Sequence, residues 1–249
     1  MKTFASIAIL LLLAMSPLTV LAQEEEETQP TYIYATYFYC DVTKQEAVDK
    51  LFEEQFAPAY KSAQADGVIS GWGWMAHHTG GKWRRLQYHM AHSVEDVINA
   101  QAAVGKKLDD AKVDPGNEFG AACNAHDDYI WQSGGGNVSD QRGTIGLSVY
   151  MVCDMTKEER ADELVESFFT PIYNDHLGEG KLASWGWLKH IVGGKYRRLV
   201  TMSAANIGDL MKARASILEA GGGSDEAKEF TSICGSHSDY IWDLKMEGR

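Results

Sequence analysis

SGWGWMAHHTGGKWRRL (residues 70–86) and ASWGWLKHIVGGKYRRL (residues 183–199) are nearly the same seventeen residues written twice. Outward from this stretch, a shift of 113 aligns residues 37–86 with 150–199 without a gap, and 23 of these 50 positions are identical. Cys40-Asp41 returns as Cys153-Asp154, Thr43-Lys44 as Thr156-Lys157, and Pro58 and Tyr60 as Pro171 and Tyr173. Two residues then drop out, and CNAHDDYIW (123–131) matches CGSHSDYIW (234–242) at a shift of 111. Identity over such a length is a tandem duplication, and a repeat decides the fold before any motif does.

Each copy has the same order of elements. YIYATYFYC and TIGLSVYMVC are short and rich in aromatic and β-branched residues, which predicts strands. Thr43-Lys44-Gln45-Glu46 and Thr156-Lys157-Glu158-Glu159 have the spacing of capping boxes that start helices. Val48, Leu51, Phe52 and Phe56 follow at helical spacing, as do Leu164, Val165, Phe168 and Phe169, with Pro58 and Pro171 expected to bend or interrupt the helices near their ends. Two strands joined by Gly80-Gly81, or Gly193-Gly194, come next, because adjacent glycines supply the positive φ of a tight hairpin. A second helix is predicted over residues 94–108 and 207–218, then a last strand at AHDDYIW or SHSDYIW. The plan is β-α-β-β-α-β, ferredoxin-like, in repeats spanning residues 31–132 and 144–246. The Gly-rich segment at residues 133–143 between them reads as a flexible linker.

Paired βαββαβ units with a Trp-rich second strand resemble the dimeric α+β barrel superfamily, which includes the antibiotic-biosynthesis-monooxygenase-like proteins. The resemblance covers nearly the whole chain after its leader and rests on element order and duplication. It implies an α+β fold in which two antiparallel sheets form a barrel, here within one chain as a pseudo-dimer. It also implies relatives that are cofactor-independent oxygenases or that bind haem.

Four cysteines lie one pair per repeat, Cys40 with Cys123 and Cys153 with Cys234. An even number beside a leader sequence favours disulfides, and three pairings are open. In a ferredoxin-like sheet the first and fourth strands are neighbours, so the proposed topology selects the two pairings within repeats. No CxxC or tight Cys/His spacing supports a zinc site.

If Gly80-Gly81 is a two-residue turn, His77 pairs with Arg84 and His190 with Arg197, with Met75, Leu86, Leu188 and Leu199 on the same face. Trp72, Trp74, Trp83 and Arg85, or Trp185, Trp187, Tyr196 and Arg198, fall on the other. One face lines the barrel and the other packs on helices, and either assignment satisfies the pattern. His77 and His190 are candidate bases, since a nearby arginine favours the neutral ring. Arg84, Arg197, Trp74 and Trp187 are candidate ligand contacts. His126-x-Asp128 and His237-x-Asp239 add an imidazole and a carboxylate on one strand face, where the acid can orient the ring. His78, His89 and His92 crowd the first repeat without counterparts in the second.

Residues 1–22 have one Lys, an apolar run and a Val-Leu-Ala end, the pattern of a cleaved signal peptide, and residues 23–30 form an acidic spacer. Removing the leader takes away Lys2 and leaves 22 basic against 35 acidic side chains, a net charge of −13. Such a surface disfavours nucleic acid, and no second apolar run is long enough to span a membrane. The leading reading is a periplasmic or secreted small-molecule-binding barrel, monomeric or a higher homo-oligomer, with no cofactor predicted from the residues. The alternative is a cofactor-independent monooxygenase or isomerase with a His base, or a haem protein with a His axial ligand. A second alternative is a structural or partner-binding protein with a packed barrel.

Overall fold

A computed structural model describes residues 29–114, 118–139 and 143–248, so the leader and most of the acidic spacer lie outside the described residues. The first repeat runs β1 (Tyr32–Tyr39), α1 (Gln45–Leu51), a π-helical turn (Phe52–Phe56), α2 (Ala57–Ala65), β2 (Gly71–Thr79), β3 (Arg85–Ala91), α3 (Val94–Asp110), α4 (Glu118–Ala122) and β4 (Ala125–Val138). The second repeats this order. It has β5 (Ile145–Val152), α5 (Glu158–Leu164), a π-helical turn (Val165–Phe169), α6 (Thr170–Gly178), β6 (Ser184–Val192), β7 (Arg198–Ala204), α7 (Ile207–Gly221), α8 (Asp225–Ile233) and β8 (Ser236–Gly248).

The eight strands close into one antiparallel barrel in the order β1-β3-β2-β8-β5-β7-β6-β4. The fourth strand of each repeat makes the closure. β4 pairs with β1 through residues 125–132, then runs on to pair with β6 of the other repeat from Ile130 to Val138. β8 does the same with β5 and then β2. Residues 133–138, expected to be flexible linker, are therefore strand. The three glycines there suit a close crossing: a Cβ on Gly136 would strike the backbone of Trp185 and Gly186.

Three other expectations change in detail. The capping boxes do not form, because Asp41 Oδ1 instead accepts both the N–H (2.8 Å) and the hydroxyl (2.7 Å) of Thr43, and Asp154 does the same for Thr156. This Asx turn uses the threonine hydroxyl that a cap would need. The prolines do not bend the helices at their ends. Each follows a π turn in which the N–H of Ala57 or Thr170 reaches five residues back, and sits in the first turn of the next helix, where a missing N–H costs nothing. Helices α4 and α8 were not expected, although Ser224 caps α8 by accepting from Ala227 N–H at 3.0 Å.

The two sheet faces have different work. Outward, Trp74 and Trp187 are fully buried under helices, and each N–H donates to an aspartate on the first helix, Asp49 or Asp162, at 2.8 Å. The same carboxylates grip Arg85 and Arg198 through paired bonds of 2.6–3.0 Å. Tryptophan, aspartate and arginine thus fix helix to sheet in both repeats.

Inward, eight Tyr and Trp rings fill the barrel: Tyr37, Trp83, Tyr129, Trp131 and their counterparts Tyr150, Tyr196, Tyr240, Trp242. Tyr37 stacks on Trp83 at 4.2 Å and meets Tyr150 edge-on at 5.5 Å, so the two halves touch through equivalent residues. The hairpin register is His77 opposite Arg84 as expected, with His77 N–H bonded to Arg84 O at 3.0 Å. The turn itself is not a two-residue hairpin. Residues 80–84 leave the ladder, which sends Trp83 to the barrel interior rather than to the face of Trp72. Gly80, at φ +129°, lies against the Asp239 and Tyr240 backbone of the other repeat, and Lys82 N–H donates to Tyr240 Oη at 3.1 Å.

Two disulfides, Cys40–Cys123 and Cys153–Cys234, join the end of each repeat's first strand to the start of its fourth. Each closes a loop of more than 80 residues, so loop closure in the unfolded chain makes it worth about 4–5 kcal/mol. Urea unfolding of Cys153→Ser/Cys234→Ser should show a loss of that order. Asp49→Asn should cost about 3–5 kcal/mol in the same assay, because it leaves the buried Arg85 guanidinium without its carboxylate.

Candidate functional site

A cavity lies outside the barrel, between the outer face of the second repeat's sheet and its helices, with a volume near 590 Å³. Its floor is Val149 and Met151 of β5 with Val200 and Met202 of β7, and its walls come from α6, α7, α8 and the Gly221–Gly223 turn. The first repeat is packed at this place. There Phe38 lies edge-on to Phe119 at 5.3 Å, and Phe56 meets the same ring at 4.8 Å. The second repeat has Val165 where the first has Phe52, Met151 where it has Phe38, and Gly221 where it has Leu108. Smaller side chains at equivalent positions open the space. The hairpin pattern left open whether the barrel interior holds a ligand or is packed, and eight aromatic rings pack it.

At the edge of the cavity stands His237. Its Nδ1 is 2.6 Å from Asp239 Oδ1, and Asp239 Oδ2 accepts from Arg214 Nη2 at 2.9 Å. The alternation of β8 puts His237 and Asp239 on one face, and α7 brings Arg214 across from above. The carboxylate orients the ring and leaves Nε2 toward what enters the cavity. Tyr173, also in the lining, is raised to about 12 by burial, so its phenol stays neutral. In the first repeat His126 and Asp128 repeat the pair at 3.1 Å, but aromatic packing fills the space beside them. The pair was legible as His-x-Asp; Arg214 was not, since its partner is 25 residues away.

The other expected residues are placed as follows. His77 and His190 sit at the barrel rim and line neither this cavity nor a second one, near 490 Å³, beside Ser70 and His92. Arg84 Nη1 donates to His77 Nδ1 at 3.0 Å and Arg197 Nη1 to His190 Nδ1 at 2.7 Å, so both rings offer a lone pair and are neutral. Each packs edge-on against a Tyr and a Trp of the other repeat's fourth strand. Burial first, then the neighbouring arginine, holds both imidazoles below the ordinary histidine range. Trp74 and Trp187 are core, with no surface left for a ligand. His78, His89 and His92 do not converge: His78 faces Asp243 at 3.2 Å, while His89 is buried against Val97 O at 2.9 Å. Among the described residues no group of three metal-ligating side chains forms.

Known proteins can now be set beside this geometry. The sequence matches no family model and no curated protein. Solved structures do match. A proposed monooxygenase from Lactobacillus acidophilus NCFM superposes with a TM-score of 0.60 over 88% of this chain and 95% of its own, at 7% identity. The fold is the dimeric α+β barrel. An anthrone oxidase-like protein matches the barrel at 0.54 with 14% identity, over 89% of this chain and 94% of its own. A chlorite dismutase variant of Candidatus Nitrospira defluvii, in complex with cyanide, matches the barrel at 0.56 with 7% identity, over 87% and 91%. Identities this low make the likeness one of architecture.

The two rim histidines give the barrel a pH dependence. Their folded pKa lies below that of the unfolded chain, so the unfolded chain binds more protons on acidification, and stability falls as pH drops through about 6.5. Thermal melts of His77→Gln/His190→Gln should show a shallower loss of Tm between pH 7.5 and 5 than the parent. An unchanged slope would contradict neutral rings in the folded barrel.

Proposed function

We propose that this chain is an exported small-molecule-binding barrel whose ligand occupies the cavity of the second repeat. The observation that carries the reading is an apolar, Met- and Phe-lined space of about 590 Å³ with His237, Asp239 and Arg214 at its edge. Such a volume lies in the range of small-ligand pockets, and a few convergent polar groups in an apolar wall are what orient a bound molecule. The lining favours a flat or aromatic ligand, since methionine and aromatic rings adapt to π faces. Two disulfides fit an oxidising compartment outside the cytoplasm, and the leader points to the periplasm or secretion.

A second reading is supported by the His237–Asp239 pair. A histidine held at Nδ1 by a carboxylate can serve as a base toward an acidic C–H or O–H in a cofactor-free oxygenase or isomerase. His237 would be the residue to hold a haem iron, with Lys228 on the same wall for the propionates. Bound haem would supply redox chemistry on oxygen or an oxyanion, while in this chain Asp239 would fix the His237 ring and Met151 and Met202 would give an apolar wall.

Native mass spectrometry and an absorbance spectrum on protein from its own exported compartment test these readings. A retained organic molecule or a Soret band is the expected result. Val165→Phe/Gly221→Leu, which rebuilds the first repeat's packing, should abolish retention and keep Tm within a few degrees of the parent. Retention that survives this closure would place the ligand elsewhere. A Soret band that shifts in His237→Ala would select the haem reading.

A further inference from the structure

The repeats treat one arginine differently. In the second, Glu158 neutralises Arg197: Nε donates to Oε1 at 2.5 Å and Nη2 to Oε2 at 3.4 Å, while Nη1 goes to His190. Glu158 Oε2 also accepts from Arg198 Nη1 at 3.1 Å. In the first repeat this position is Gln45. Its single oxygen accepts from Arg85 Nη1 at 2.6 Å, as Glu158 Oε2 does for Arg198. The other arm of Gln45 is therefore an NH₂ group, which cannot accept from a guanidinium.

Arg84 keeps its bonds to His77, and among the described residues its Nε and Nη2 make none. The charges follow suit. Arg197, Arg198 and Lys189 share Glu158 and Asp162, whereas Arg84 and Arg85 have Asp49 alone, and it pairs with Arg85. The first repeat thus leaves Arg84 without an ion pair among the described residues, half-buried at the rim of a protein whose net charge is strongly negative.

We propose that Arg84, with the Gln45 amide as a further donor, binds a small organic carboxylate that supplies from outside the negative charge that Glu158 gives Arg197 in the second repeat. The free Nε/Nη2 edge is the planar fork that pairs two-pronged with a carboxylate. Gln45 Nε2, held only by a 3.4 Å bond to Val42 O, is a third donor to it. The site is separate from the cavity, which lies in the other repeat. It stands whether or not the cavity binds a ligand.

The test is an acetate titration of the whole mature chain, with chloride as the balancing anion at constant ionic strength. The arginine Nε–H signals are followed by ¹⁵N–¹H NMR. The parent should show one saturable shift, at Arg84. Gln45→Glu should weaken acetate binding by roughly tenfold or more, because the built-in carboxylate then occupies the fork. Glu158→Gln should create a second saturable site at Arg197. His237→Ala should leave the Arg84 shift unchanged. An Arg84 signal that does not saturate, a Gln45→Glu chain that binds as the parent does, or a shift lost in His237→Ala would each overturn the assignment.

Discussion

A β-strand cannot leave its hydrogen-bonding edge bare inside a protein, and here the fourth strand of each repeat solves this for the other. A single ferredoxin-like sheet ends on β2, or β6, with an unpaired edge. β4 and β8 are long enough to pair with their own first strand and then with the other repeat's second strand, so both edges are covered and the barrel closes. Neither repeat is complete alone. The disulfides hold the start of these same strands to β1 and β5, which aims the long strand ends at their partners.

Closure fixes what the interior can hold. Two copies of one aromatic set meet across the pseudo-twofold, and Tyr37 against Tyr150 leaves the barrel axis filled. The 590 Å³ cavity lies on one of the outer faces, where the helices lie. On those faces duplication was followed by divergence. The first repeat has the bulkier Phe38, Phe52 and Leu108, while the second has Met151, Val165 and Gly221. The same divergence at positions 45 and 158 gave one rim arginine an internal carboxylate and left the other open.

Much of this was legible. The main element order and the His77–Arg84 register follow from short-range pattern, because strand alternation and helix period are local properties; the duplication follows from comparing the chain with itself, and the disulfide pairing only from the topology that this order implies. The His237-x-Asp239 pair was visible for the same reason. Arg214, helix α8 and the cavity were not. Arg214 reaches Asp239 from another element, and the cavity is a difference in packing volume between two similar segments. The Gly-rich stretch misled, because glycines that permit a close strand crossing read locally like those of a linker.

The sequence by itself determined that two ferredoxin-like units exist and how the main elements of each are ordered, since a repeat compared with itself exposes its own constraints, while the cysteine pairing needed the topology as well. Only the tertiary structure decided which sheet face turns inward. Alternation gives two faces but no sign, and the choice rests on how the aromatic rings of one repeat meet those of the other across the barrel.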